Sequence, residues 1–203
     1  MREIPVKGNV QVYCMESSKR SYVYYVSGPE THLLVDTCLP NRGLAIWEEL
    51  SGAPIHDILI THYDVDHIGS LAWLAEKSGA RVWLPKKDLP YILGHKPRPG
   101  IKRIIGSLIR VPAPHNYHII VPGDHVGPLV AVSSPGHTPG HLAYQGPGFI
   151  LVGDAVATRA GKTTPAPSIL AWDAEQARTT ASSIVHDWHG WVLPAHGEPL
   201  LFP

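Results

Sequence analysis

Six consecutive residues, His62-Tyr63-Asp64-Val65-Asp66-His67, carry two imidazoles and two carboxylates directly after the apolar run Ile55 to Ile60. Neighbouring carboxylates repel, and each of the four groups loses hydration when ordered beside the others, so a cation between them relieves both costs. The chemistry this spacing points to is metal binding. In extended backbone His62 and Asp64 point to one side, and a turn into a following helix swings Asp66 and His67 toward a second point, which suits two cations better than one. Four groups cannot complete two coordination shells, and three later places offer more donors. Ser133 to His141 contains His137, Phe149 to Asp154 ends in a carboxylate, and Trp191 to Gly197 contains His196.

The elements that must position these groups can be read from pattern. Pro54 to Ile60 has the apolar, β-branched character of a buried strand, and Leu71 to Lys77 reads as a helix, with Gly69 letting that helix approach the intervening loop without a side chain in the way. The first four candidates therefore lie on the turn between them, and His137, Asp154 and His196 each follow a strand-like run, where loops gather functional groups on a rigid scaffold. Val10 to Met15, Ser21 to Ser27 and His32 to Asp36 read as an opening meander, turning at Gly28-Pro29-Glu30. Asn41 caps a predicted helix to Leu50, Arg81 to Leu84 is a strand, and Asp173, with Gln176 three residues on, starts a helix to about Asp187.

The ordered set His62-x-Asp64-x-Asp66-His67, His137, Asp154 and His196 resembles the metal-binding pattern of the metallo-β-lactamase superfamily, in its glyoxalase II-like and lactonase-like hydrolase branch. Leu33-Leu34-Val35-Asp36-Thr37 resembles the early strand and aspartate of that fold, and the likeness runs from about Val10 to the C-terminus. It implies an α/β fold, a four-layer αββα sandwich, with two divalent metals at one edge between the sheets. It further implies that His62, Asp64 and His137 hold one metal, that Asp66, His67 and His196 hold the other, and that Asp154 bridges them with a water or hydroxide. Asp36 is expected to organise the first loop through hydrogen bonds, and His141 to act as a supporting partner rather than a ligand.

One departure bears on the chemistry. The common family pattern has histidine where this chain has Asp64, so two dications, three carboxylates and a hydroxide sum to zero instead of to one positive charge. A less positive centre acidifies its water less and shifts preference from zinc, which the family implies, toward iron or manganese. The expected reaction is attack of the bridging hydroxide, oriented by Asp66 and Asp154, on an ester, thioester or lactone. Tyr63, Tyr117 and His118 are the candidate general acids, none singled out by spacing. Two other chemistries use similar ligands: a di-iron or mono-iron redox enzyme, of the flavodiiron or persulfide dioxygenase kind, and a small-molecule phosphodiesterase.

Composition is in keeping with this reading. The 203 residues, 44% of them hydrophobic, can bury a sizeable core and are expected to form one domain, residues 1–203. Seventeen basic and seventeen acidic residues balance, which argues against a nucleic-acid or anionic-membrane partner and leaves a small molecule as the expected one, with a homodimer compatible. Met1 to Gly8 lacks the apolar core of a signal peptide and no run is long enough to span a bilayer, so a cytoplasmic location is expected. Cys14 and Cys38 suggest no disulfide framework, and both read as buried. His32, His56, His95, His115, His118, His125, His186 and His189 carry no metal spacing. Charge departs from balance only in Lys86 to Arg110. There Ile101, Ile104, Ile105, Leu108 and Ile109 fall at helical spacing, predicting an amphipathic lid with its basic face outward. Ala155 to Trp172, with Arg159, Lys162, Thr163 and Thr164, is the second segment expected to border the pocket, there to receive an anionic group.

Overall fold

The computed structural model describes residues 1–203 except Lys19 and the side chains of residues 105–107, the predicted lid residue Ile105 among the latter. Strands β1 (Arg2–Ile4), β2 (Gln11–Cys14), β3 (Tyr24–Gly28), β4 (Thr31–Val35), β5 (Asp57–Leu59), β6 (Arg81–Pro85) and β7 (His118–Ile120) form a seven-stranded sheet in that order. The second sheet has six strands, β8 (His125–Val126), β9 (Leu129–Ser133), β10 (Leu142–Gly146), β11 (Phe149–Gly153), β14 (Gly190–Pro194) and β15 (Leu200–Phe202). A separate hairpin joins β12 (Ala157–Arg159) to β13 (Lys162–Thr164). The helices are α1 (Gly43–Glu49), α2 (Val65–Ile68), α3 (Leu71–Ser78), α4 (Leu89–Ile92), α5 (Lys102–Leu108) and α6 (Ala174–Val185).

Alternation along the strands sorts side chains into three cores. Val12 and Cys14, Tyr24 and Val26, and Leu33 and Val35 face the second sheet, where they meet Leu129, Ala131, Tyr144, Phe149 and Leu151. The opposite face of the first sheet, with Tyr25, Leu34 and Ile58, packs on Ile46 of α1, Ile68 of α2, and Leu71 and Leu74 of α3. Ala143, Ile150 and Val192 on the outer face of the second sheet meet Ala181 of α6. Helix, sheet, sheet and helix are thus stacked in four layers. Two tyrosines tie the sheets by hydrogen bonds, Tyr144 Oη donating to Ile60 O at 2.7 Å and Tyr24 Oη to Pro194 O at 2.8 Å.

The topology puts the reactive residues at one edge. Strands β4, β5 and β6 are parallel, so their C-terminal ends, leading to Asp36 and His62, lie together. In the other sheet β9 and β11 both run antiparallel to β10, and β14 runs parallel to β11, so His137, Asp154 and His196 follow strand ends on a common side. No described helix is long and apolar enough to cross a membrane.

Several expectations shift in detail. The helix predicted from Asn41 begins at Gly43, and neither Asn41 nor the boundary residue Arg42 caps it with a side chain. A side chain at Gly43 would meet Trp73 of α3 at 2.8 Å, so the first residue of α1 packs closely on α3. Asp173 does cap α6, its Oδ1 accepting from the N–H groups of Glu175 and Gln176, although the helix stops at Val185 rather than near Asp187. Gly69 does permit a close approach, but to the segment after β4 rather than to the loop bearing the first four candidates: a Cβ there would stand 2.4 Å from the backbone nitrogen of Pro40. Asp66 and His67 sit on the short helix α2 instead of on an open turn.

Candidate metal centre

The seven residues singled out by spacing converge into two adjoining groups, His62 with Asp64, His137 and Asp154, and Asp66 with His67 and His196. In the first group His137 Nε2 lies 3.0 Å from Asp64 Oδ2 and 3.3 Å from Asp154 Oδ2, and His62 Nε2 lies 3.5 Å from Asp64 Oδ2. In the second, His196 Nε2 stands 3.3 Å from Asp66 Oδ2, while Asp154 Oδ1 is 3.3 Å from His67 Nε2 and 3.4 Å from His196 Nε2. The two oxygens of Asp154 therefore face different groups. Donors arranged tetrahedrally at about 2.0–2.1 Å from a cation are separated by roughly 3.3 Å, so this spacing fits.

The surrounding hydrogen bonds fix which imidazole nitrogens point inward. Asp36, at a φ of 63° that aspartate tolerates better than most residues, accepts from Thr61 N–H, Thr61 Oγ1 and His67 Nδ1, each at 2.8 Å. The Thr61 proton is thereby committed to Asp36, so its hydroxyl must accept from His62 Nδ1 at 2.9 Å, and His62 Nε2 is left with a lone pair. Burial, helped by the neighbouring His67, lowers His62 to about 4, keeping it neutral. His141 spends both nitrogens on support: Nε2 accepts the Asp154 N–H at 3.1 Å and Nδ1 donates to Ser134 Oγ at 2.7 Å. Asp36 and His141 thus have the supporting roles expected of them.

The donor set fits a cation on independent grounds. His62 Nε2, Asp64 Oδ1 and Asp154 Oδ1 are buried and find no hydrogen-bond partner among the described residues, a costly condition for converging lone pairs unless a cation satisfies them. The electrostatics agree. Burial alone would raise Asp64 and Asp154, yet both are held well below the usual carboxylate range, Asp64 by His137, His62 and Lys102 and Asp154 chiefly by His67 and His196. His196 is opposed by burial but raised to about 10 by Asp154 and Asp66, so a cation taking its lone pair must displace a proton.

The sequence did not reveal Lys102. Its ammonium donates to Asp64 Oδ2 at 2.7 Å and to His137 Nε2 at 3.0 Å, and the residue is only 5% exposed. The helix expected in this segment is α5, but its orientation differs from expectation: Lys102 turns in, while Ile101, Ile104 and Leu108 are exposed. The ammonium turned inward gains an ionic partner in Asp64. Asp88 was also overlooked. Fully buried and pushed up by burial to about 7, it accepts from Thr138 Oγ1 at 2.6 Å and Gly140 N–H at 2.7 Å, gripping the loop that carries His137.

Above the two groups opens a cavity of about 740 Å³. Asp64, Asp66, Asp154 and His196 form part of its lining, with Lys102 and Ile109 from the basic segment and Arg159, Thr164 and Leu170 from the segment after Asp154. Both segments border it as expected, although Lys162 does not. Tyr63, Tyr117 and His118, the candidate acids, are absent from the lining: Tyr63 is fully buried, and His118 stacks on Trp83 with ring centres 4.8 Å apart. Cys14 and Cys38 are buried free thiols, and Cys38 does not reach the cavity.

Comparison with known proteins agrees with this architecture. The family model for the metallo-beta-lactamase superfamily matches residues 19–196. The chain is 29% identical over 199 residues to the uncharacterized protein YobT of Bacillus subtilis (strain 168), covering 89% of this chain and 84% of that one. It is 34% identical over 149 residues to a hydroxyacylglutathione hydrolase of Dechloromonas aromatica (strain RCB), covering 72% of this chain but only 48% of that protein, about half its length. The solved structure of TTHA1623 in a di-iron-bound form shares the fold, with a TM-score of 0.69 at 20% identity, 99% of this chain and 94% of that chain being covered.

Proposed function

Because the chain belongs to the metallo-β-lactamase superfamily, we propose that it hydrolyses a small-molecule ester, thioester or lactone, using two divalent cations held by the groups on either side of Asp154. The observation that carries this reading is the placement of Asp154, whose Oδ2 faces His137 and whose Oδ1 faces His67 and His196 at the floor of an open cavity. His62, Asp64 and His137 would hold one cation and Asp66, His67 and His196 the other, with Asp154 shared. When bound, the cations supply Lewis acidity toward a carbonyl oxygen and make water a competent nucleophile near neutral pH.

The remaining steps belong to the chain. Among the described residues no serine or cysteine lines the cavity, and in this reading the attacking oxygen is water's. Asp66, 32% exposed at the cavity floor, and Asp154 are placed to accept its hydrogen bonds and orient it. None of the candidate acids reaches the cavity, which favours leaving groups that depart without a proton, such as thiolates, activated alkoxides and the strained alkoxides of lactones. The carboxylate-rich donor set admits iron or manganese beside zinc. In a panel of acyl substrates, thioesters and lactones are expected to turn over faster than matched amides, with activity lost on chelation and restored by a divalent metal. Turnover that survives exhaustive chelation would sink the reading.

The Asp88 contact makes a separate prediction. With Asp88→Ala, Thr138 and Gly140 lose their anchor and His137 is no longer held in place. Affinity for the first cation is expected to fall about 10–100-fold, as typically seen when groups supporting a ligand are removed. A chelator competition titration would show one weakened site and one unchanged, whereas equal weakening of both would point to general loosening of the fold.

A further inference from the structure

Two cations of the cavity are left over by the proposed chemistry. Arg98, half-buried between α4 and α5, donates through Nε to Tyr63 O at 3.1 Å, and its terminal guanidinium nitrogens have no carboxylate in ion-pair contact among the described residues. Arg159, at the end of β12, lines the same cavity and is likewise unpaired among the described residues. Among the described residues only Arg2, on Glu198 at 2.8 Å, and Arg81, on Asp57 at 2.8 Å, are arginines with an ion pair, so it is the place of Arg98, partly buried in the cavity wall, that sets it apart. Lys102 is a different case, its charge already being engaged by Asp64. Arg98 is partly buried and Asp64 acts on it only without an ion-pair contact, so part of its desolvation cost is left for a ligand carboxylate to offset, and its planar fork suits that group; Arg159 is exposed at the rim.

The rest of the wall describes the body of the ligand. Leu39, Val65, Ile109, Pro167 and Leu170 give the cavity an apolar lining between its charged features, and about 740 Å³ is ample for a small acyl compound. We propose that the substrate is an acyl ester, thioester or lactone with an apolar body and a free carboxylate, that Arg98 binds this carboxylate, and that Arg159 adds attraction for it at the cavity wall. The reactive end of this assignment rests on the hydrolase reading, whereas recognition of the anion does not. Arg98 is therefore a specificity-determining residue rather than part of the hydrolytic centre.

Two probes of equal chain length isolate the charge: the mono-4-nitrophenyl ester of adipic acid and 4-nitrophenyl hexanoate, each assayed with metal-loaded protein. The wild type is expected to prefer the anionic ester. Arg98→Met should raise its KM about 10–100-fold, the range expected when one charged hydrogen-bonded contact is lost. It should leave the neutral ester within about 2-fold, and Arg98→Lys should recover part of the loss. Equal effects on both esters, or no preference in the wild type, would overturn the proposal. Calorimetric binding of adipate, hexanoate and hexyl phosphate is the arm that needs no turnover. Arg98-dependent adipate binding without hydrolysis of either ester would reject the hydrolase reading and keep this one. Tighter binding of hexyl phosphate than of adipate would reject the carboxylate assignment.

Discussion

Asp154→Asn is expected to lower kcat on a thioester or lactone by about 10³-fold or more, the scale seen when a single charge-stabilising group is removed from a preorganised centre. The carboxylate is the only described side chain that faces both groups, Oδ2 toward His137 at 3.3 Å and Oδ1 toward His67 at 3.3 Å and His196 at 3.4 Å. Asparagine keeps its shape and the backbone N–H bonded to His141 Nε2. It loses the negative charge and places an amide NH₂, which cannot ligate through nitrogen, on one side. Metal content and kcat should therefore fall together while the unfolding midpoint in denaturant changes little. Asparagine retaining near wild-type turnover would remove the shared carboxylate from the mechanism.

Lys102→Met is expected to have opposite effects on metal affinity and on pH dependence. Asp64 brings an extra negative charge to the first group, and the sequence alone predicts a centre one charge less positive than its relatives'. Lys102 returns that charge at 2.7 Å from Asp64 Oδ2, while Oδ1 is buried and without a hydrogen-bond partner among the described residues. Removing the ammonium makes the surroundings more negative, so the first cation should bind more tightly and resist a chelator longer. The sign for the nucleophile follows from the same charge. A more negative environment disfavours deprotonation of water, so the acidic limb of the kcat profile should move to higher pH by about one unit, a modest shift for loss of a neighbouring charge. Adding Asp64→His to Lys102→Met removes the carboxylate as well, and the limb should return toward its original position. A limb that stays in place in the single variant would show that Lys102 has no electrostatic part in the reaction.

These two residues also mark where sequence reading stops. Six of the seven convergent side chains were legible because His62, Asp64, Asp66 and His67 are crowded at one strand end and His137 and His196 each follow a strand. Asp154 became legible as the last residue of an apolar run, and the family resemblance gave the order its meaning. Lys102 was invisible because apolar periodicity reports only local pattern. Ile101, Ile104 and Leu108 have helical spacing, yet the side chain turned inward is the one whose partner lies 38 positions away, at Asp64. Asp88 was missed for a similar reason, its two acceptors being matched to Thr138 and Gly140 on a distant loop. The short strands β1 and β15 went unread because three-residue edge strands carry too few alternations to register. The layering is expected from the family resemblance alone, since the strand pattern by itself gives only mixed α/β; in the structure it shows in residues such as Leu33, Leu34 and Val35, which feed two different cores.

The account rests on two cations per chain, one on each side of Asp154. Elemental analysis of protein produced in medium balanced for zinc, iron and manganese tests this directly, with His137→Ala and His196→Ala measured alongside. The expected result is two divalent ions per wild-type chain and one in each variant, because each substitution removes a donor from a different group. A wild-type chain that holds one ion or none after equilibration with excess metal and removal of the unbound fraction would contradict the account.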